Sequence, residues 1–281
     1  MNTPDKNASP EQIRETVRAG YAAIATKEQA SGCGGGSCCG HSNPEQLAKA
    51  VGYDAEALAK LPDGANMGLS CGNPVAIAAL QEGQMVLDLG SGGGFDVFQA
   101  GAKVKASGWV IGVDMTSEML AKARTNIAQY RQRTGLDNVE FRLGEIEHLP
   151  VPDSSVDVVL SNCVINLSPD KPQVWREIFR VLKQGGKVSV SDIALLKPLP
   201  DNIQKVAAAL VGCVAGASLI EDTRAMLEKA GFTSIVLTPN LDYVRHMEDL
   251  NDPLFEQFAE TMPKGLKMSD YVVSLSIEAR K

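Results

Sequence analysis

"MVLDLGSGGGFD", running from Met85 to Asp96, is the stretch whose reading decides the fold. "MVLDL" is an almost unbroken apolar run, the pattern of a strand buried on both faces. Glycines follow at once, at positions 90, 92 and 94, and a helical stretch opens at Phe95. Glycine lets the backbone turn tightly and approach a ligand closely. A strand, a glycine turn and a helix in that order make a nucleotide-binding turn. A dinucleotide fingerprint would place its third glycine at position 95, where this chain has Phe95. The spacing is instead acidic-x-Gly-x-Gly-x-Gly, beginning at Asp88 inside the strand.

The pattern continues on both sides. "WVIGVD" (Trp109–Asp114) reads as a second strand, and Thr116–Gly135 as a helix capped by Thr116 or Ser117 and stopped by glycine. "VEFRLG" (Val139–Gly144) and "VDVVLSN" (Val156–Asn162) are further strands. Lys171–Gly186 reads as a helix ending in glycine, and "KVSVSDI" (Lys187–Ile193) as the fifth strand. A helical region containing Cys213 follows Pro200. Then come a helix at Glu221–Phe232 and strands at Thr233–Pro239 and Asp270–Arg280. Strands alternating with helices define an α/β fold with a mostly parallel sheet. Residues 240–269 are an insertion with little periodicity, and no internal repeat is present. Toward the N-terminus, Ser9, Asn43 and Asp54 each stand as a cap before a helical pattern. Three segments follow: 1–66, helical with a Gly/Cys-rich loop; 67–197, the nucleotide-binding-type domain; and 198–281, a smaller region whose last strands complete the sheet.

Bulk properties narrow the class. The chain has 281 residues, 44% of them apolar, enough for a sizeable core. A net charge of −7 with no basic block argues against a nucleic-acid partner. The N-terminus carries no apolar leader, and the longest apolar run, Val206–Ile220, is shorter than the roughly 20 residues a spanning helix needs. The expectation is a cytoplasmic monomer without a membrane partner. Six cysteines are too few for a disulfide scaffold of this length. Their thiols therefore ask for a chemical role.

Asp114 closes the second strand twenty residues after Gly94, a position suited to both ribose hydroxyls of a nucleotide. With the glycine turn, this resembles the first motifs of the class I S-adenosylmethionine-dependent methyltransferases. That resemblance implies a Rossmann-like sheet whose last strand is antiparallel. It also implies S-adenosyl-L-methionine as cofactor, its amino-acid part in the glycine loop (Asp88, Gly90, Ser91, Gly92, Gly94) and its ribose on Asp114. Met115, Glu145, Ile146 and Asn162 would complete the site, "GEIEHLP" (Gly144–Pro150) lying beside the adenine.

Cys163 directly follows the fourth strand, at the carboxyl end where ligands sit in such sheets. Cys71, in "GLSCGNPVAIAAL", precedes a helix that Asn73 or Ser70 caps, a setting that favours thiolate. Cys213 lies among small residues in "ALVGCVAGA". Thiolates prefer soft, thiophilic partners, and three from distant segments do not make a zinc ribbon. A three-coordinate centre such as trivalent arsenic suits them and keeps a lone pair free. "SGCGGGSCCGHS" (Ser31–Ser42) suits structural zinc poorly, because two of its ligands would be direct neighbours. With glycine on both sides of its cysteines it reads as a flexible arm.

Several stretches together resemble the arsenite S-adenosylmethionine methyltransferases over roughly residues 30–235. They are "GGGSCCG", "PDGANMGLSCGNPVAIAAL", "VLDLGSGGGFD", "VIGVDMTSEMLAKAR", "SNCVINLSPDK", "RVLKQGGKVSVSDI" and "VGCVAGA". The resemblance implies that Cys71, Cys163 and Cys213 bind arsenic, delivered as arsenite or a thiol adduct. Cys39 or Cys38 would join the thiol chemistry, and a small thiol or thioredoxin-type reductant would reset the enzyme. The lone pair would attack the cofactor's methyl group without a general base. Two other functions fit parts of the pattern: a methyltransferase for a small C- or O-acceptor, and a non-enzymatic binder of thiophilic ions on the same scaffold. The intact cofactor loop argues against the second.

Overall fold

The computed structural model describes residues 9–26, 44–199, 214, 216–242 and 267–281. Among them, eight strands form one sheet: β1 (Met85–Leu89), β2 (Trp109–Asp114), β3 (Val139–Leu143), β4 (Val156–Asn162), β5 (Leu182–Leu195), β6 (Ser218–Leu219), β7 (Thr233–Asn240) and β8 (Val272–Arg280). The order is β3-β2-β1-β4-β5-β8-β7, with two-residue β6 against the end of β5. β1 to β5 pair in parallel, and β8 runs antiparallel to both β5 and β7. The sheet is thus mostly parallel with an antiparallel closing pair, as the sequence leads one to expect.

Central strands are buried on both faces because helices cover both. Successive residues of β1 enter different cores, as a two-residue side-chain period requires. Val86 joins Phe98, Tyr130 and Leu160 on one side; Leu87 joins Trp175, Ile178 and Val190 on the other. The first layer is built on α5 (Phe95–Val104) and α6 (Ser117–Thr134). The second is built on α7 (Lys171–Val181) and α8 (Ile220–Ala230). A third apolar cluster gathers Leu47, Cys71, Cys163, Ile193, Leu199, Val214, Met268, Tyr271 and Val272 near the carboxyl ends of β4 and β5.

Ahead of the sheet come α1 (Pro10–Thr26), α2 (Pro44–Ala50), α3 (Ala55–Ala59) and α4 (Pro74–Ile77). Ser9 starts α1 with a reciprocal pair: its hydroxyl accepts from Gln12 N at 3.3 Å, and its own N–H donates to Gln12 Oε1 at 2.7 Å. Asp54 caps α3 through Ala57 N. Asn73, not Ser70, caps α4 by accepting from Ala76 N at 2.9 Å.

One boundary differs from the sequence reading. The helix from Lys171 ends at Val181, and Leu182–Gly186 belong to β5. Leu182 is fully buried and pairs with Val156, and the register shifts before Lys187 pairs with Val158. Burial of one leucine at the start of the sheet overrides the helical propensity of "VLKQ". The Cys-rich arm, the region around Cys213 and most of the 240–269 insertion lie outside the described residues. No helix among the described residues is long and apolar enough to cross a membrane.

Candidate active site

A cleft opens at the carboxyl ends of β1, β2 and β4. Its floor is the glycine turn. Gly90 has φ 66°, and a Cβ there would lie 2.5 Å from Val164. Gly92 has φ 50° and gives its N–H to Asp114 Oδ2 at 2.9 Å. Asp114 Oδ1 accepts from Thr116 N at 2.8 Å. Burial raises the Asp114 carboxyl above its usual range, and these two N–H donors act against that shift.

The cleft brings together Gly90, Gly92, Asp114, Met115, Ile146 and Asn162 from the expected cofactor set. The other four do not line it. Asp88 is buried beneath, pushed well above the carboxylate range by burial and by the charges of Asp96 and Asp114. Gly94 starts α5 in a left-handed conformation, where a Cβ would meet Phe98 and Phe141. Ser91 gives its N–H to Val113 O, and its buried hydroxyl has no partner among the described residues. Glu145 faces α1, pairing with Arg14 at 3.4 Å and Arg18 at 3.3 Å. That helix was not foreseen as part of the site, yet Arg14, Val17 and Tyr21 form a wall of the cleft. Glycine backbone, one carboxylate at the end of β2 and flanking apolar side chains fit the amino-acid, ribose and adenine parts of S-adenosylmethionine respectively. The cradle is closely fitted at Gly90, where any side chain would occupy space taken by Val164.

Of the two described thiols, Cys163 alone belongs to the cleft. Cys163 lines it, one residue beyond β4, with φ 57°, a strained value for a residue with a side chain. Its N–H donates to Ser191 O at 2.9 Å. The sulfurs of Cys163 and Cys71 meet in direct contact, with Cα atoms 6.0 Å apart, a separation that a disulfide can span. Cys71 does not stand at the start of a long helix. α4 is one turn of four residues beginning three positions later, so it adds little dipole to a thiolate.

Asn162 holds the two thiol segments together. Its Oδ1 accepts from Cys71 N at 3.1 Å, and its Nδ2 donates to Gly72 O at 3.0 Å. Nδ2 also reaches Asp96 Oδ2 at 3.2 Å and Tyr53 Oη at 3.1 Å, while Tyr53 donates to Asp96 Oδ1 at 2.7 Å. Burial pushes Asp96 up to about 6 despite the hydrogen bonds from Tyr53 and Asn162. Ser274 Oγ on β8 donates to Cys71 O at 2.9 Å.

Asp192 on β5 joins the thiols from the opposite segment. One of its carboxylate oxygens and the sulfurs of Cys71 and Cys163 all lie within 4.8 Å of one another, and all three residues are buried. Burial pushes Asp192 up to about 7, while N–H donors from Ile193 and Asn166 and the charge of Lys171 pull against it. Tyr53, Asp96 and Asp192 were not singled out from the sequence. "SDI" at the end of the fifth strand, in line with Cys163 after the fourth, is the one signal that pointed to Asp192.

A Rossmann-like sheet closed by an antiparallel strand, with a glycine turn and an acidic strand end facing one cleft, defines a class I methyltransferase. Residues 80–231 match a family model described as a methyltransferase domain. An arsenite methyltransferase of Halobacterium salinarum is 45% identical over 279 residues, which is 97% of this chain and 67% of that protein. Another from Aquipseudomonas alcaligenes is 44% identical over 158 residues, 55% of this chain and 46% of its own length. The chain thus spans two thirds of the first relative and under half of the second. The crystal structure of an arsenic(III) S-adenosylmethionine methyltransferase from Chlamydomonas reinhardtii superposes with a TM-score of 0.62 at 34% identity, covering 85% of this chain and 74% of that one. The chain belongs to the arsenite methyltransferase family and is an S-adenosylmethionine-dependent methyltransferase.

Proposed function

We propose that this chain methylates trivalent arsenic held by Cys71, Cys163 and Cys213. The observation that carries the reading is the position of Cys163. It forms part of the cleft, and its sulfur is at the same time in contact with that of Cys71. A soft ion on this pair therefore lies beside the cofactor. Cys213 falls outside the described residues, but the chain resumes at Val214, which packs in the same apolar cluster as Cys71 and Cys163.

Arsenite enters by exchange. Each As–S bond forms as an As–O or As–S bond to the incoming species breaks, and the thiol proton leaves with the departing group as water or free thiol. Trivalent arsenic on three thiolates is neutral and keeps its lone pair. Gly90, Gly92, Asp114 and Ile146 would hold S-adenosylmethionine, which supplies an electrophilic methyl group when bound. The residues contribute alignment rather than acid–base catalysis, and alignment alone is worth on the order of 7–11 kcal/mol. Asn162 fixes the Cys71 segment beside β4, and the apolar cluster around the thiols keeps water away from the arsenic.

After transfer, arsenic is pentavalent. A further thiolate, from Cys38 or Cys39, would attack one arsenic-bound sulfur: the S–S bond forms as that As–S bond breaks, and the electron pair left on arsenic returns it to the trivalent state, bound to the methyl group and the other two thiolates. A small thiol or thioredoxin-type reductant would reset the pair. Arsenite methylation by Cys163→Ser tests the proposal. The expected result is loss of methylation with cofactor affinity retained; full activity in that variant would overturn the arsenic reading and leave the methyltransferase fold in place.

A further inference from the structure

We propose that Tyr53 is a positioning residue of the thiol site: through Asn162 it fixes Cys71 at the separation from Cys163 at which both can hold one soft ion. This rests on the arsenic reading above, and on Cys71 and Cys163 alone among its thiols. Tyr53 lies between α2 and α3, is buried, and stands outside the cofactor cleft. Its ring is seated without help from the hydroxyl. It packs edge-on against Phe95, with ring centroids 4.8 Å apart, and the Tyr53 N–H donates to Ala48 O at 3.0 Å.

What the hydroxyl settles is the way the Asn162 carboxamide faces. It donates to Asp96 Oδ1 at 2.7 Å and accepts from Asn162 Nδ2 at 3.1 Å. Nδ2 also meets Asp96 Oδ2 at 3.2 Å and Gly72 O at 3.0 Å. With two hydrogens and three acceptors before it, that nitrogen stays on this side. Oδ1 is thereby turned to Cys71 N, from which it accepts at 3.1 Å. A reversed amide would set N–H against N–H at Cys71 and oxygen against oxygen at Gly72 and Asp96.

Asn162 directly precedes Cys163, so one side chain ties together two thiol segments whose Cα atoms are 6.0 Å apart. On its far side the Cys71 segment has little room. Ser274 Oγ donates to Cys71 O at 2.9 Å, and a Cβ on Gly72 would lie 2.6 Å from Ser191 Oγ. Removing the Tyr53 hydroxyl takes the donor from Asp96 Oδ1 and one acceptor from Asn162. The carboxylate then draws Nδ2 away from Gly72 O, and Cys71 loses its fixed place. Groups that orient the ligands of an ion are worth about 10- to 100-fold in its affinity.

The test is arsenite titration of the reduced full chain at pH 8, above the value of about 6 to which burial raises Asp96. The parent protein carries Cys33→Ser, Cys38→Ser and Cys39→Ser, so that the N-terminal arm takes up no arsenite. Adding Tyr53→Phe keeps the ring and removes the hydroxyl. The expected result is arsenite affinity lowered about tenfold, with affinity for S-adenosylhomocysteine changed by less than about threefold. Beside Asn162→Ala, Tyr53→Phe should cost less than about threefold further, because its route to Cys71 is gone. Unaltered arsenite affinity in Tyr53→Phe would overturn the proposal. Equal weakening of both ligands would show a general packing role and do the same, as would a full tenfold loss beside Asn162→Ala. If circular dichroism shows Tyr53→Phe unfolded, Tyr53→Met fills much of the same space without a donor and is read by the same criteria. A parent protein that binds no arsenite would sink the arsenic site itself. One that binds it, beside an unaltered Tyr53→Phe, would sink only the role of Tyr53.

Discussion

Asn162 and Asp96 show how much the site depends on single side chains away from the sulfurs. Asn162 satisfies Cys71 N and Gly72 O while its amide also meets Asp96 and Tyr53. Asn162→Ala leaves several of these groups without partners in a buried place, which costs about 1–3 kcal/mol for each such group. We expect a lower melting temperature and a much reduced methylation rate, both measurable on the purified variant. Asp96 gives a pH signature. Its carboxyl is raised from the ordinary 3.8 to about 6 by burial. A raised folded pKa means the folded state holds the proton more tightly than the unfolded chain. The stability from that proton is full below about pH 4 and is lost as pH rises through about 6. Asp96→Asn removes the titration; its amide oxygen keeps the bond from Asn162 Nδ2, and its amide nitrogen donates to the Tyr53 hydroxyl instead of accepting from it. Relative to wild type it should gain about 2–3 kcal/mol between pH 4 and pH 7 in urea unfolding curves; an unchanged difference across that range would refute the assignment. At this scale the sequence was partly readable. Asp114 and the glycines announce themselves by spacing from one strand end. Asp96 and Tyr53, 43 residues apart, meet only through tertiary packing, and no local pattern encodes their hydrogen bond.

Elements, rather than residues, explain the cofactor cleft's walls. The β1 turn was legible because an apolar run followed by three alternate glycines has few other uses. The end of α7 was not, because "VLKQGG" is acceptable to a helix and only pairing with Val156 draws Leu182 into β5. α1 was read correctly as a helix, but its place was not, since nothing within Pro10–Thr26 shows that it packs over the cleft. There Arg14 pairs with Glu145 and Glu147 at 3.4 Å, and Arg18 with Glu145. Glu147 is buried and also accepts from Ser168 Oγ at 2.6 Å. Arg14→Ala should loosen α1 and weaken cofactor binding about three- to tenfold, as calorimetry would show, an effect on the scale of one partly exposed ion-pair group. High salt should lessen the wild-type advantage. The turn itself is less forgiving. Gly90→Ala adds a Cβ 2.5 Å from Val164 at positive φ, so stability should fall by about 1–3 kcal/mol and cofactor affinity with it. Because Val164 follows Cys163, the same substitution is expected to slow arsenite capture.

At the scale of the whole molecule, a bridge between two cysteines far apart in sequence would couple the fold to their redox state. Composition and strand–helix alternation were enough to read an α/β sheet, since those signals repeat along the chain. The meeting of Cys71, Cys163 and Asp192 is a product of sheet order: β4 and β5 are neighbours, and Ser274 on β8 holds Cys71 from the far side. A bridge between the two sulfurs would close a loop of 92 residues, and in the chain-entropy account a loop of that length stabilises a fold by about 4–5 kcal/mol. Reduction should therefore lower the melting temperature. Arsenite binds only the reduced thiols, so adding it to reduced protein should restore part of that stability by mass action, increasingly with concentration. It should have no effect on the oxidised protein. Thermal unfolding in three states, oxidised, reduced, and reduced with arsenite, checks all of this in one experiment. Equal melting temperatures for oxidised and reduced protein would mean that the bridge contributes nothing to the fold. An arsenite-induced rise in the oxidised sample would place the arsenic on thiols other than Cys71 and Cys163.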